Sequence, residues 1–192
     1  MNRFLQREQR RWRAQVRGNL VAATICVGAL LLSASAFLGA QAHPSEYQVK
    51  AAYLYNFGKF MNWPESGQAE FHLCVLGDDP FGTSLDSTIT NATINGKKVA
   101  ARRLSGVQDA EGCEIAFIAS SESGRLERDL AALKKLHVLT VSDMPDFIRR
   151  GGIIQFVEED RKVRFEVNLK AAQESGFTLS SELLKVAAKV QK

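Results

Sequence analysis

The chain has 192 residues, 45% of them hydrophobic, and a formal charge of +4 from 25 Lys and Arg against 21 Asp and Glu. Six of those basic residues and one acidic residue lie before His43, so 19 basic against 20 acidic remain beyond it, a charge of −1. A near-neutral body with dispersed basic pairs excludes a nucleic-acid partner held by phosphate neutralisation, and its length suits one hydrophobic core rather than two.

Arg3, Arg7, Arg10, Arg11, Arg13 and Arg17 precede an uncharged run from Leu20 to Leu38, which Ala40-Gln41-Ala42 follows. A basic stretch, an apolar stretch and a small-residue cleavage pattern describe a secretory signal peptide over 1–42, with His43 as the first mature residue. The apolar run also approaches the ~20 residues that span a bilayer, so a retained anchor is the competing reading. Either one places the domain, 43–192, outside the cytoplasm. The two cysteines left in it, Cys74 and Cys113, form an even pair in an oxidising compartment and read as one disulfide.

Ser45 can cap a helix over 46–62 that stops before Trp63-Pro64, because the residue preceding proline avoids the helical region. Val49, Tyr53, Phe57 and Phe60 have core spacing on it. All three tyrosines of the chain lie here with two phenylalanines and, just beyond, Trp63. So many rings suggest either a wide face covering a sheet or a partly exposed docking surface. A strand over 71–76 ends at Gly77-Asp78-Asp79-Pro80-Phe81-Gly82, a turn without the lysine of a P-loop. A turn at Asn95-Gly96 leads into a surface strand over 97–104, whose Lys97, Lys98, Arg102 and Arg103 suit a solvated edge.

Strands over 113–119, 137–141 and 153–157 follow, with a helix from Ser121 or Ser123 to Leu136 after the first and a short helix from Asp143 to Gly151 after the second. Glu158-Glu159-Asp160-Arg161 makes a hairpin into Val163-Arg164-Phe165-Glu166-Val167-Asn168, which alternates apolar and polar residues as a half-buried strand does. Asn168 is placed to cap a two-turn helix that Gly176 stops, and Ser180 to cap a last helix with Leu183, Val186 or Ala187, and Val190 inward. Strands separated by helices give an α/β fold, a single-domain sandwich of a mixed β-sheet flanked by helices.

No catalytic constellation assembles from these residues. His43, His72 and His137 are scattered without metal-ligand spacing, and Cys74 and Cys113 stand too far apart for a redox Cys-x-x-Cys. Asp78, Asp79 and Asp143 each follow a strand as a phospho-acceptor would, but no phosphodonor is at hand outside the cytoplasm. The reading is a protein that binds rather than a catalyst, with no cofactor and no metal.

The helix Val49-Lys50-Ala51-Ala52-Tyr53-Leu54-Tyr55-Asn56-Phe57 with Trp63-Pro64, the strand Leu73-Cys74-Val75, the pair Gly112-Cys113 and, most specifically, 163–171 with Ser175-Gly176 resemble the YfiR-type periplasmic proteins across the mature domain. The resemblance implies a non-catalytic repressor that binds the periplasmic part of a membrane-bound diguanylate cyclase. An OmpA-like outer-membrane lipoprotein sequesters the repressor, which releases cyclic-di-GMP synthesis and biofilm formation; homodimers fit the same family. It also implies that Cys74 and Cys113 are the structural disulfide and that Glu166 stands at a position tied to repression. The better-known members carry a second cysteine pair where this chain has Ile148 and Gln155, so redox sensing by a second pair is not expected. Glu166, Arg164 and Tyr55 are the candidate partner contacts. The plainer alternative is that Glu166 and Arg164 form only a surface pair, worth under about 1 kcal/mol. The alternative from another class is a small-ligand-binding sensory domain with an apolar pocket beside the sheet.

Overall fold

The computed structural model describes residues 44–192 apart from Glu65 and Ser66, so the signal-peptide reading of 1–42 lies outside the described residues. Helix α1 (Glu46–Lys59) opens with a capping box: the Gln48 N–H donates to the Ser45 side chain, and the Ser45 N–H donates to the Gln48 side chain at 2.8 Å. Two of the helix's orphan donors are satisfied in this way. Beyond Phe60 the Trp63 indole N–H donates to the Gly58 carbonyl at 2.7 Å, folding the chain back on its own helix. A side chain at Gly58 would run into Ile94 and Phe71, so a glycine there lets α1 lie close on the sheet.

Strands β1 (Glu70–Leu76), β2 (Thr93–Ile94), β3 (Lys97–Leu104), β4 (Ile115–Ile118), β5 (Leu139–Ser142), β6 (Ile154–Glu159), β7 (Lys162–Asn168) and β8 (Lys189–Gln191) form one sheet in the order β2-β3-β1-β4-β5-β6-β7-β8. The run β3-β1-β4-β5-β6 is parallel. Strands β2 and β3 are antiparallel across Asn95-Gly96, and β6 and β7 across Asp160-Arg161. All four turn residues have positive φ, as a tight hairpin between right-twisted strands requires. Helices α2 (Thr83–Ile89), α3 (Leu126–Lys135), α4 (Leu169–Glu174) and α5 (Ser181–Val186) complete the domain. A mixed sheet with helices on both faces is the α/β sandwich expected from the pattern.

The two faces carry separate cores. On one, α1, α2 and α5 press Leu54, Phe57, Leu85 and Leu183 onto Leu73, Val75, Phe117, Phe156, Phe165 and Val167. On the other, α3 covers Cys74, Leu76, Ala116 and Ile118 with Leu126 and Leu133. Here the disulfide joins Cys74 of β1 to Cys113 ahead of β4, closing a separation of 39 residues.

Several local expectations give way to tertiary contacts. The buried stripe of α1 is Lys50, Ala51, Leu54, Phe57 and Gly58, and Phe60 is 46% exposed instead of core. Residues 143–150 form turns, not a helix, because Asp146 takes a positive φ and the Met144 N–H is drawn to the Ser142 hydroxyl at 3.1 Å. The last helix stops at Val186: Ala187 turns extended and the Ala188 N–H donates to the Phe165 carbonyl at 2.8 Å, so Val190 belongs to β8. Strand β3 pairs with β1 from Lys98 to Leu104 and with β2 only at Lys97 and Lys98, so its outer side is an edge from Val99 onward, as its charges suggested, but two of those charges are engaged rather than solvated. Its Arg102 donates to the carbonyls of Asp109 and Glu111, and Arg103 binds Asp79 and Asp86.

Candidate functional site

Alternation along β7 assigns its side chains to opposite faces. Phe165 and Val167 face α1, with the Phe165 ring 5.0 Å from Phe57 and 5.5 Å from Tyr53. Arg164 and Glu166 therefore face the other way, onto the surface whose core under α3 takes its strand residues from β1, β3 and β4. From β6 outward that surface is a strip of half-buried side chains, Gln155 and Val157 on β6 and Arg164 and Glu166 on β7, bordered by the exposed Lys189 on β8. Glu166 stands in register with Gln155 on one side and Lys189 on the other. Arg164 lies opposite Val157 and donates to the Val186 carbonyl at 3.4 Å, beside a Val186 side chain that is 57% exposed. No ion pair joins Arg164 to Glu166 among the described residues, so two charged heads are left on a sheet face with an apolar neighbour.

The strip is anchored from beneath. Asn168, the next polar position of β7, accepts from the Ala171 N–H at 2.9 Å, capping α4, and donates to the Ile148 carbonyl at 2.8 Å. The Ile148 N–H in turn donates to the Gln155 side chain at 3.1 Å. Ile148 and Gln155, remote in sequence from Cys74 and Cys113, are thus joined directly by a hydrogen bond.

Tyr55 is elsewhere. It sits on α1, on the opposite face of the sheet, and its hydroxyl donates to the Thr93 carbonyl at 3.3 Å. Arg164 and Glu166 are brought together, and Tyr55 is not brought to them. Most other rings of α1 are absorbed internally. Tyr47 packs edge-on against Phe81 at 5.3 Å, Tyr53 packs on Phe57, Phe156 and Phe165, and Trp63 is wedged between Phe71 and Phe177. The plainer sequence reading of that aromatic cluster holds, with Phe60 as the exposed ring.

A buried polar network escaped the sequence reading. Lys50, 4% exposed, holds Asp143 at 2.6 Å, pairs with Glu46 one turn earlier, and lies 4.5 Å from the Tyr47 ring. The Tyr47 hydroxyl donates to the same Asp143 oxygen at 2.9 Å. Burial first, and then the Asp143 carboxylate, push the Tyr47 phenol up to about 12. The Glu46/Lys50 spacing was the available signal, but Asp143 is remote in sequence. This network ties the start of α1 to the end of β5 and is fully paired, so it has no free group for chemistry. Among the described residues no three His, Cys, Asp or Glu side chains converge as a metal site would, and no helix is long and apolar enough to cross a membrane.

The fold has solved counterparts. A conserved domain protein from Vibrio cholerae O1 biovar El Tor superposes with a TM-score of 0.55 at 11% identity, covering 77% of this chain and 60% of that one. The ABC domain in complex with L-Trp from Streptococcus pneumonia gives 0.52 at 12% identity, over 73% of this chain and 60% of the other. The chain thus spans about three fifths of each counterpart's length, and identities this low establish shared architecture alone. No curated protein matches the chain. A family model described as YfiR/HmsC-like matches residues 47–188, nearly all of the described domain, and the chain belongs to that family of periplasmic regulators.

Proposed function

We propose that this protein is a periplasmic signalling repressor, exported by cleavage before His43, that binds the periplasmic part of a membrane-bound diguanylate cyclase and holds it inactive. It thereby restrains cyclic-di-GMP synthesis and biofilm formation. Family membership supports the reading. The observation that carries it to a surface is the strip on β6, β7 and β8, where neither Arg164 nor Glu166 is in an ion pair among the described residues. Docking there can inhibit only if the strip binds the inactive form of the cyclase more tightly than the active form. An OmpA-like lipoprotein that binds the repressor competes by mass action. Tyr55, across the sheet, would make a separate contact.

Deleting the gene should raise cyclic-di-GMP; an unchanged or lower level sinks the repressor reading. Glu166→Lys should derepress the cyclase while the purified domain keeps its melting temperature, because a half-exposed position tolerates the exchange and a docked one does not. Full repression by a folded Glu166→Lys variant removes this residue from the interface.

A further inference from the structure

A cleft of about 330 Å³ opens between α3 and α4, at the end of the strip just described. Four cationic side chains line it: Lys134 from the last turn of α3, Arg150 from the turn before β6, Lys170 from the first turn of α4, and Lys192 after β8. One carboxylate, Glu174, stands among them. Arg150 is already committed to Glu127 at 2.9 Å and to the Ser123 carbonyl at 2.8 Å. Lys134 reaches across to Glu174 at 3.1 Å, and Lys170 acts on the same carboxylate through its charge. The chain's own Glu174 shows that a carboxylate seats on Lys134, with Lys170 near enough to act on it through its charge. Neither Lys170 nor Lys192 has an ion-pair partner within 4 Å among the described residues, so the cleft keeps an excess of positive charge between walls that concentrate its field.

We propose that the cleft between α3 and α4 binds a small solute through an oxyanion group, phosphate or carboxylate, held by Lys134 and Lys170. Glu174 is the internal competitor: it occupies Lys134 when the cleft is empty and yields when an external oxyanion arrives. The site is independent of the cyclase reading and would survive its failure.

The test uses the mature oxidised chain, titrated separately with inorganic phosphate and with acetate against chloride of matched ionic strength, and read by backbone amide chemical shifts. Saturable shifts confined to the amides around Lys134, Gly151, Lys170 and Gln191 are expected for at least one of the two anions, and which one responds identifies the class. Lys170→Gln should weaken binding about tenfold, and Glu174→Gln should tighten it severalfold by removing the competitor. Lys98→Gln, which makes the same change in net charge on the distant β2–β3 hairpin, should leave affinity unchanged. Shifts that never saturate with either anion, or that scatter over the surface, overturn the site. Equal weakening by Lys98→Gln and Lys170→Gln overturns it too, since binding would then follow net charge alone.

Discussion

Lys50 is the one buried cation among the described residues, and its surroundings explain how α1 tolerates it. Asp143, Glu46 and the Tyr47 ring together replace the water it gave up. Lys50→Met should cost about 3 kcal/mol, because Asp143 keeps its burial and loses its counter-charge; a shift in urea midpoint measures this. The Tyr47 phenol gives a pH test with a definite sign. Its folded pKa, about 12, lies above the ordinary value of 10.0, so the folded state holds the proton more firmly. That contribution is complete below pH ~10 and is lost as pH rises towards ~12. Wild-type stability should therefore fall more steeply across that window than the stability of Tyr47→Phe. Equal slopes would show that the hydroxyl is not held as described.

At the scale of elements, the segment from β7 through α4 to α5 was legible because each boundary has a local chemical cause. Asn168 and Ser180 cap helices with their own side chains, and Gly176 takes a φ of 82° that other residues resist. Asn168 also holds the Ile148 carbonyl, which no spacing in the sequence announces. Asn168→Ala should consequently cost about 2 kcal/mol, more than a cap alone. The turns at 143–150 were misread as a helix since their geometry answers to Ser142 and Gly152. A methyl group at Gly152 would strike the fully buried Phe147 ring, so Gly152→Ala should destabilise the domain by about 1–3 kcal/mol in thermal or urea unfolding. The disulfide acts on the same scale. With its cysteines 39 positions apart, Cys74→Ser should lower stability by roughly 4 kcal/mol in the chain-entropy model, and an unchanged melting temperature under oxidising conditions would argue against the bridge.

For the whole molecule, the decisive piece is β8. Three residues after α5 pair in parallel with β7 and cover an edge that would otherwise present open backbone groups beside Glu166. Removing residues 188–192 should leave the central strands folded but promote self-association, visible as a rise in light scattering with concentration; a monodisperse truncated protein would contradict this. Taken alone, the amino-acid order determined the α/β class, most strand and helix positions, the cysteine pairing and the family, because alternation, caps and turn residues are encoded within a few neighbours. Tertiary structure alone decided which rings of α1 are internal, that Val190 is a strand residue, that Lys50 meets Asp143, and that Arg164 and Glu166 share an open strip without Tyr55. Each of those depends on which surface another element covers, and coverage is settled by contacts between residues tens of positions apart, which no local period records.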